Sequence, residues 1–224
     1  MMSDVLLETI EDGVATLTMN RPEARNARSE KLTRLAKDNS VRAVVLTGAG
    51  GAFCSGGDVK SFAANAGAKV DLNERIQDLR ERSEVSRLLH EMPKPTLAVI
   101  PGPAAGAGFS LAMACDMRIA ADDAKITTAF SKVGLSGDFG GSYFLTKLLG
   151  EAKAKELYFT ADVVLGKEAE KIGMVNKSVP ADELSAAADA MAKRLASLPT
   201  IAIGYMKKNI NTASEGTLSE VLDW

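Results

Sequence analysis

The sequence predicts an α/β fold. Two observations carry that reading: β-rich runs interleave with helical stretches along the 224 residues, and the pattern of strand, glycine loop and helix recurs weakly without a fixed-period repeat. The length suits one domain of ordinary size, able to bury a core without disulfides or metals.

The elements follow in order. "VLLETIEDGVATLTMN" reads as a hairpin, with Asp12-Gly13 supplying the positive φ of a tight turn. "VRAVVLT" is a third strand and runs into "LTGAGGAFCSGGDVK", which has five glycines in fifteen residues. "LNERIQDLRERSEVSRLLHEM" sets Leu72, Ile76, Leu79, Leu88, Leu89 and Met92 on one face of an amphipathic helix that "PKP" stops. "TLAVI" is a strand, "PGPAAGAG" a second glycine loop, and "FSLAMAC" a short apolar helix. "DMRIAA" and "KITTA" are short strands. A third glycine-rich segment, "VGLSGDFGGS", leads into helices at "YFLTKLLG" and "EAKAKELYFT", and the remainder is mostly helical with alanine-rich faces.

Composition narrows the function classes. Lys plus Arg (27) nearly balances Asp plus Glu (29), and 46% of residues are hydrophobic, so no basic footprint for nucleic acid or an anionic membrane is present. The longest apolar stretch, "TLAVIPGPAAGAGFSLAMAC", is broken by two prolines and three glycines and reads as buried core, not a membrane span. The N-terminus has acids where a signal peptide needs bases, and two cysteines make no disulfide framework. A reducing cytoplasm is the expected location.

The obvious motifs fail on particular residues. A dinucleotide fingerprint on Gly48 and Gly50 needs a third glycine where Phe53 stands, and no loop supplies the Lys and Ser/Thr of a P-loop. "GFSLA" resembles a nucleophile elbow around Ser110, but the only histidine, His90, lies upstream and reads as a solvated or half-buried surface group. Cys54 lacks a base and reads as a buried structural thiol. One His and two distant Cys exclude the usual metal sites. What remains are two glycine turns that follow buried strands. Backbone N–H groups freed there can point at one developing negative charge, or the turns serve only to change chain direction.

"NRPEARNA", "SVRAVVLTGAGGAFCSGGDVKSF", the run from "PKPTLAVIPGPAAGAGFSLAMAC" through "SKVGLSGDFGGSYFLTKLLG", and "KEAEKIGMVNKSVP" together resemble the enoyl-CoA hydratase/isomerase, or crotonase, superfamily. The resemblance implies a spiral of ββα units over 1–180 and a helical C-terminal region over 181–224 that trimerises, often as a dimer of trimers. It also implies an acyl-CoA thioester substrate, with coenzyme A entering as part of that substrate and no separate cofactor. The thioester oxygen would sit in an oxyanion hole formed by the N–H groups of Gly57 and Ala107. Arg25 falls beside the CoA phosphates, and Gly57, Asp58, Val59 and Lys60 fall where the adenine and pantetheine pass.

The paired glutamates of hydratases in this family correspond to Ser110 and Phe130, neither of which can act as a carboxylate base. Asp138 is the acid of the third loop, set among Leu135, Gly137 and Phe139, and it stands where isomerase members carry an aspartate. Apolar surroundings should raise its pKa and make it the better base, suited to moving one proton between two carbons. Its alternative role is to cap the helix near Gly140. Dehalogenase members place a nucleophile here, but their partner histidine would fall near Ser83. A hydratase with a different acid/base and an acyl-CoA-binding protein without turnover are the other readings. The segment between residues 27 and 40 is shorter than the family's helix by two or three turns, and the chain ends at "EVLDW", where family members usually continue.

Overall fold

A computed structural model describes residues 6–20, 26–56 and 71–224. Strands β1 (Leu6–Glu11) and β2 (Val14–Met19) form the expected hairpin, and Asp12 and Gly13 turn it at φ 51° and 78°. After α1 (Asn26–Lys37), β3 (Ala43–Gly48) joins β2 in parallel. Helix α2 (Leu72–Glu91) then returns the chain to β4 (Thr96–Ile100).

Two further strands complete the main sheet, β6 (Met117–Ala121) and β9 (Lys177–Val179), in the order β1-β2-β3-β4-β6-β9, with every pairing after the first one parallel. All five residues of β4 are buried, as expected of a central parallel strand covered on both faces. A small second sheet pairs β5 (Ala104–Ala105) with β7 (Lys125–Thr127) and β8 (Val164–Leu165).

Helices α3 (Ala107–Ala114), α4 (Gly141–Leu149), α5 (Glu151–Thr160) and α6 (Gly166–Lys171) lie between the later strands. Helix α7 (Leu184–Ser197) rests across β2, β3, β4 and β6 through Leu184, Ala188, Ala192 and Ala196, spaced four apart so that small side chains let the helix approach the sheet. Helices α8 (Thr200–Ala213) and α9 (Leu218–Leu222) end the chain, α9 with a capping box between Thr217 and Glu220. Among the described residues, no helix is long and apolar enough to cross a membrane.

Two expectations are corrected. On α2, Leu72, Ile76 and Leu79 are exposed (69%, 42% and 45%), while Val85, Ser86 and Leu89 are buried. Only the second half of the helix packs down, against α1 and α3, so an apolar stripe read along all twenty residues overshoots its support. Cys54 is half-buried; Cys115 is the fully buried thiol, pushed up to about 12 by burial.

Helix α8 is tied to the core by a buried polar cluster. Lys207 Nζ donates to Leu89 O and Asp116 Oδ2 at 2.8 Å each and to Lys94 O at 3.2 Å. Thr96 N donates to the same Asp116 oxygen at 2.8 Å, so both charges are balanced and hydrogen-bonded.

Candidate active site

The first two glycine loops are locked together through their backbones. Phe53 N and Cys54 N donate to Pro103 O (3.0 and 3.1 Å), and Ala105 N returns a bond to Cys54 O at 2.9 Å. The glycines at this junction are forced by proximity. A Cβ at Gly102 would lie 2.1 Å from Gly51 O, and one at Gly108 would lie 2.1 Å from Cys54 O. No L side chain fits such gaps without moving backbone.

Gly106, with φ 54° and ψ −121°, turns the chain into α3, so that Ala107 is the first helical residue. Its N–H is one of the helix donors without an intrahelical acceptor. On the facing loop, a Cβ at Gly56 (φ 90°) would lie 3.0 Å from Ala105 O and 3.8 Å from Ala107 N. The first loop therefore runs directly past Ala107. Gly57, Asp58, Val59, Lys60 and Arg25 lie outside the described residues.

The two positions that correspond to the hydratase glutamates are filled with other chemistry. Ser110 is fully buried and its hydroxyl donates to Gly106 O at 3.2 Å, an i−4 bond that ties it to the turn before Ala107. This is no exposed nucleophile elbow. Phe130 is 4% exposed, and its ring edge lies 3.7 Å from the point where a Gly106 Cβ would be, closing the space over the turn.

Asp138 sits in a strained turn, with Gly137 at φ 122°, Phe139 at 49° and Gly140 at 72°. It does not cap the helix that follows. Gly140 is the N-cap residue and no side chain bonds to the end of α4; Asp138 contributes only its backbone carbonyl, which accepts from Gly141 N at 3.2 Å. The side-chain Oδ1 is buried and has no hydrogen-bond partner. Burial pushes the carboxyl up to about 6, so near neutral pH it is a carboxylate held ready for a proton.

Sequence reasoning missed Tyr158, which looks like one more aromatic on an amphipathic helix. Its ring stacks on Phe130 (centroids 6.0 Å apart, planes at 13°) and meets Phe109 edge-on at 6.3 Å. Its hydroxyl is also buried without a partner. Desolvation first, then the Asp138 charge, holds this phenol above its ordinary range. Ser110 and Ser142 oppose that rise, although neither stands in hydrogen-bonding geometry.

Beside this turn lies a cavity of about 680 Å³, lined by Phe139, Gly140, Tyr143 and Phe144 together with Ser83, Ser86, His90 and the polar residues of α8 and α9. His90 is half-buried as expected and packs on Phe144 at 5.2 Å and Tyr143 at 6.2 Å; burial first, then Lys207, lowers its pKa. Tyr143 donates to Glu215 across the opening. Among the described residues no group of side chains could hold a metal ion.

The comparisons with known proteins point the same way. Residues 9–224 match the enoyl-CoA hydratase/isomerase family. The 1,2-epoxyphenylacetyl-CoA isomerase of Escherichia coli (strain K12) is 36% identical over 231 residues, covering 99% of this chain and 87% of the relative. A 4-chlorobenzoyl coenzyme A dehalogenase of an Arthrobacter species is 33% identical over 215 residues, covering 92% and 78%. The crystal structure of an enoyl-CoA hydratase from Polaromonas sp. JS666 superposes with a TM-score of 0.89 at 34% identity, over 97% of this chain and 87% of that one. The mixed α/β architecture is thus the crotonase fold, and this chain belongs to the enoyl-CoA hydratase/isomerase family.

Proposed function

We propose that this acyl-CoA enzyme shifts a double bond along the acyl chain, with Asp138 as the group that moves the proton. The single observation behind this reading is Asp138, whose Oδ1 is buried without a partner and whose carboxyl is raised to about 6, while Ser110 and Phe130 offer no second carboxylate. The N–H groups of Gly57 and Ala107 serve as the oxyanion hole. From a 3-enoyl thioester, Asp138 takes a proton at C2, between the carbonyl and the double bond. The C–H electron pair moves inward, and negative charge collects on the thioester oxygen, where the two N–H groups hold it. Asp138 then returns the proton to the other end of the conjugated system, leaving the double bond displaced and the carboxylate restored.

Each oxyanion donor is worth about 10² to 10³ in rate, and a positioned base about 10² to 10⁴. The acyl group enters the cavity beside Phe139 and Gly140, where the rings of Phe139, Tyr143, Phe144 and His90 suit a ring-bearing acyl group. A phenylacetyl-type thioester, of the kind named for the Escherichia coli relative, fits that description. Dehalogenation is disfavoured because Ser83, at the position of the partner histidine, cannot take a proton.

Wild type and Asp138→Asn assayed on 3-enoyl-CoA isomerisation and 2-enoyl-CoA hydration test the reading. Isomerisation lost in the variant is expected. Robust hydration indifferent to the substitution overturns it in favour of a different acid/base, and tight acyl-CoA binding with no α-proton exchange in deuterated water overturns it in favour of a binding protein. Self-association as a trimer, or a dimer of trimers, is part of the same proposal. It is supported by Ile201, Tyr205, Met206 and Ile210, exposed on α8, and is checked by light scattering on the eluting protein, with a monomer as the contrary result.

A further inference from the structure

The position of Tyr158 carries an inference that rests on Asp138 being the base. The phenol oxygen lies beneath the turn that holds Asp138. It is 2.6 Å from the point where a Cβ on Gly141 would be and 3.9 Å from the same point on Gly137, so it touches both shoulders of that turn. Stacking on Phe130 and edge contact with Phe109 fix the ring, which leaves the hydroxyl hydrogen as its free coordinate. Two buried polar atoms in this small volume lack partners, the Tyr158 hydroxyl and Asp138 Oδ1. One is a donor and the other an acceptor. Leaving a buried polar group unpaired is costly, so two complementary orphans in one small volume call for a bond between them.

We propose that Tyr158 is a positioning residue whose hydroxyl donates to Asp138 while that residue is a carboxylate and turns to Ser110 when Asp138 carries the substrate's proton. Ser110 suits the second position. Its own hydrogen is committed to Gly106 O, so its oxygen is free to accept, and it crowds the same point above Gly141, at 2.2 Å. The device would thereby link the protonation state of the base to the turn that presents Ala107. No bond to hydrogen is broken at Tyr158. The phenol keeps its proton throughout, since burial and the Asp138 charge both hold it above its ordinary range. Asp138 and Tyr158 are the charged or titratable groups that meet here among the described residues: the shift of Asp138 comes from burial alone, and the charge acting on Tyr158 is that of Asp138.

The test is the ionisation of Asp138 itself, read by carbon-13 NMR of labelled aspartate carboxyls in wild type, Tyr158→Phe and Ser110→Ala, alongside kcat/KM against pH for a short 3-enoyl-CoA. Loss of a charge-assisted donor is expected to raise the Asp138 pKa in Tyr158→Phe by about one to two units and to move the acid limb of kcat/KM with it, with KM little changed. Ser110→Ala, which removes the alternative acceptor, shifts both readings downward and keeps the test alive if Tyr158→Phe folds poorly. A Tyr158 that only fills space lowers thermal stability in the Phe variant and leaves the titration where it was, and that result overturns the proposal. The two readings fail separately. An active Asp138→Asn enzyme removes the base assignment, whereas the carboxyl titration decides on Tyr158 in either case.

Discussion

Two half-covered aspartates, Asp116 and Asp138, are treated in opposite ways. The Asp116 carboxylate receives Thr96 N and Lys207 Nζ at 2.8 Å each, and the ammonium finds two carbonyls besides. Asp138 Oδ1 receives nothing, and a strained turn holds it there. A satisfied carboxylate ties α8 to the core. An unsatisfied one is a weaker acid and has room for a proton. On the proposed mechanism the difference separates a stability site from a reaction site, although both are one residue type in a half-covered position.

The sharpest way to break the comparison is to neutralise each in turn. Asp138→Asn is expected to lower the isomerisation rate by about 10² to 10⁴ while the protein stays folded. Thermal melts combined with turnover check both halves. Asp116→Ala should do the reverse. It strands the 7%-exposed Lys207 side chain as an unpaired cation, at a cost of about 3–5 kcal/mol of stability, and leaves turnover per folded molecule near wild type. Urea unfolding measures that loss, and an equal loss of specific activity would contradict the separation.

These two sites also differ in how far the sequence reveals them. Hairpin, central strands and glycine loops are legible because each is a local pattern: Asp12-Gly13 needs its positive φ, and "TLAVI" is apolar at every position. Asp138 is legible because it is the acid within a glycine-rich apolar segment. Lys207 and Asp116 are not, since ninety residues separate them and a lysine in the run "MKKN" looks solvated. Tyr158 is hidden for a similar reason: nothing in "EAKAKELYFT" marks one aromatic as lying under a turn twenty residues earlier. The stripe on α2 misled because periodicity reports which face is apolar and says nothing of where the neighbouring elements stop.

Smaller effects refine the contrast. Gly141→Ala drives a methyl into Ser110 Oγ and the Tyr158 hydroxyl, at 2.2 and 2.6 Å, and is expected to cost about 1–3 kcal/mol and to slow the reaction by displacing the turn. Steady-state kinetics at saturating substrate separate a kcat effect from weakened binding. The last effect is pH-dependent. The Asp138 pKa is raised on folding from 3.8 to about 6, so the contribution of this group to stability is fully present below pH 3.8 and is lost as pH rises through 6. Asp138→Asn removes that loss, so the variant should gain on wild type in melting temperature across pH 4 to 7 and hold its lead above. A constant difference at all pH values would mean that the carboxyl is not desolvated.

The interlocked loops at Gly102 and Gly108 have a consequence for how this enzyme can change. Carbonyls and amides hold Ala107 in place, and no side chain takes part in the bonds between Cys54, Pro103 and Ala105. The lock between the two loops therefore needs no side chain from positions 130 or 138, and Ser110 adds to it only one bond, to Gly106 O at 3.2 Å. On the proposed mechanism, one scaffold holds the thioester still while different residues decide where the proton goes. A new reaction is then a matter of a few substitutions around an untouched anchor.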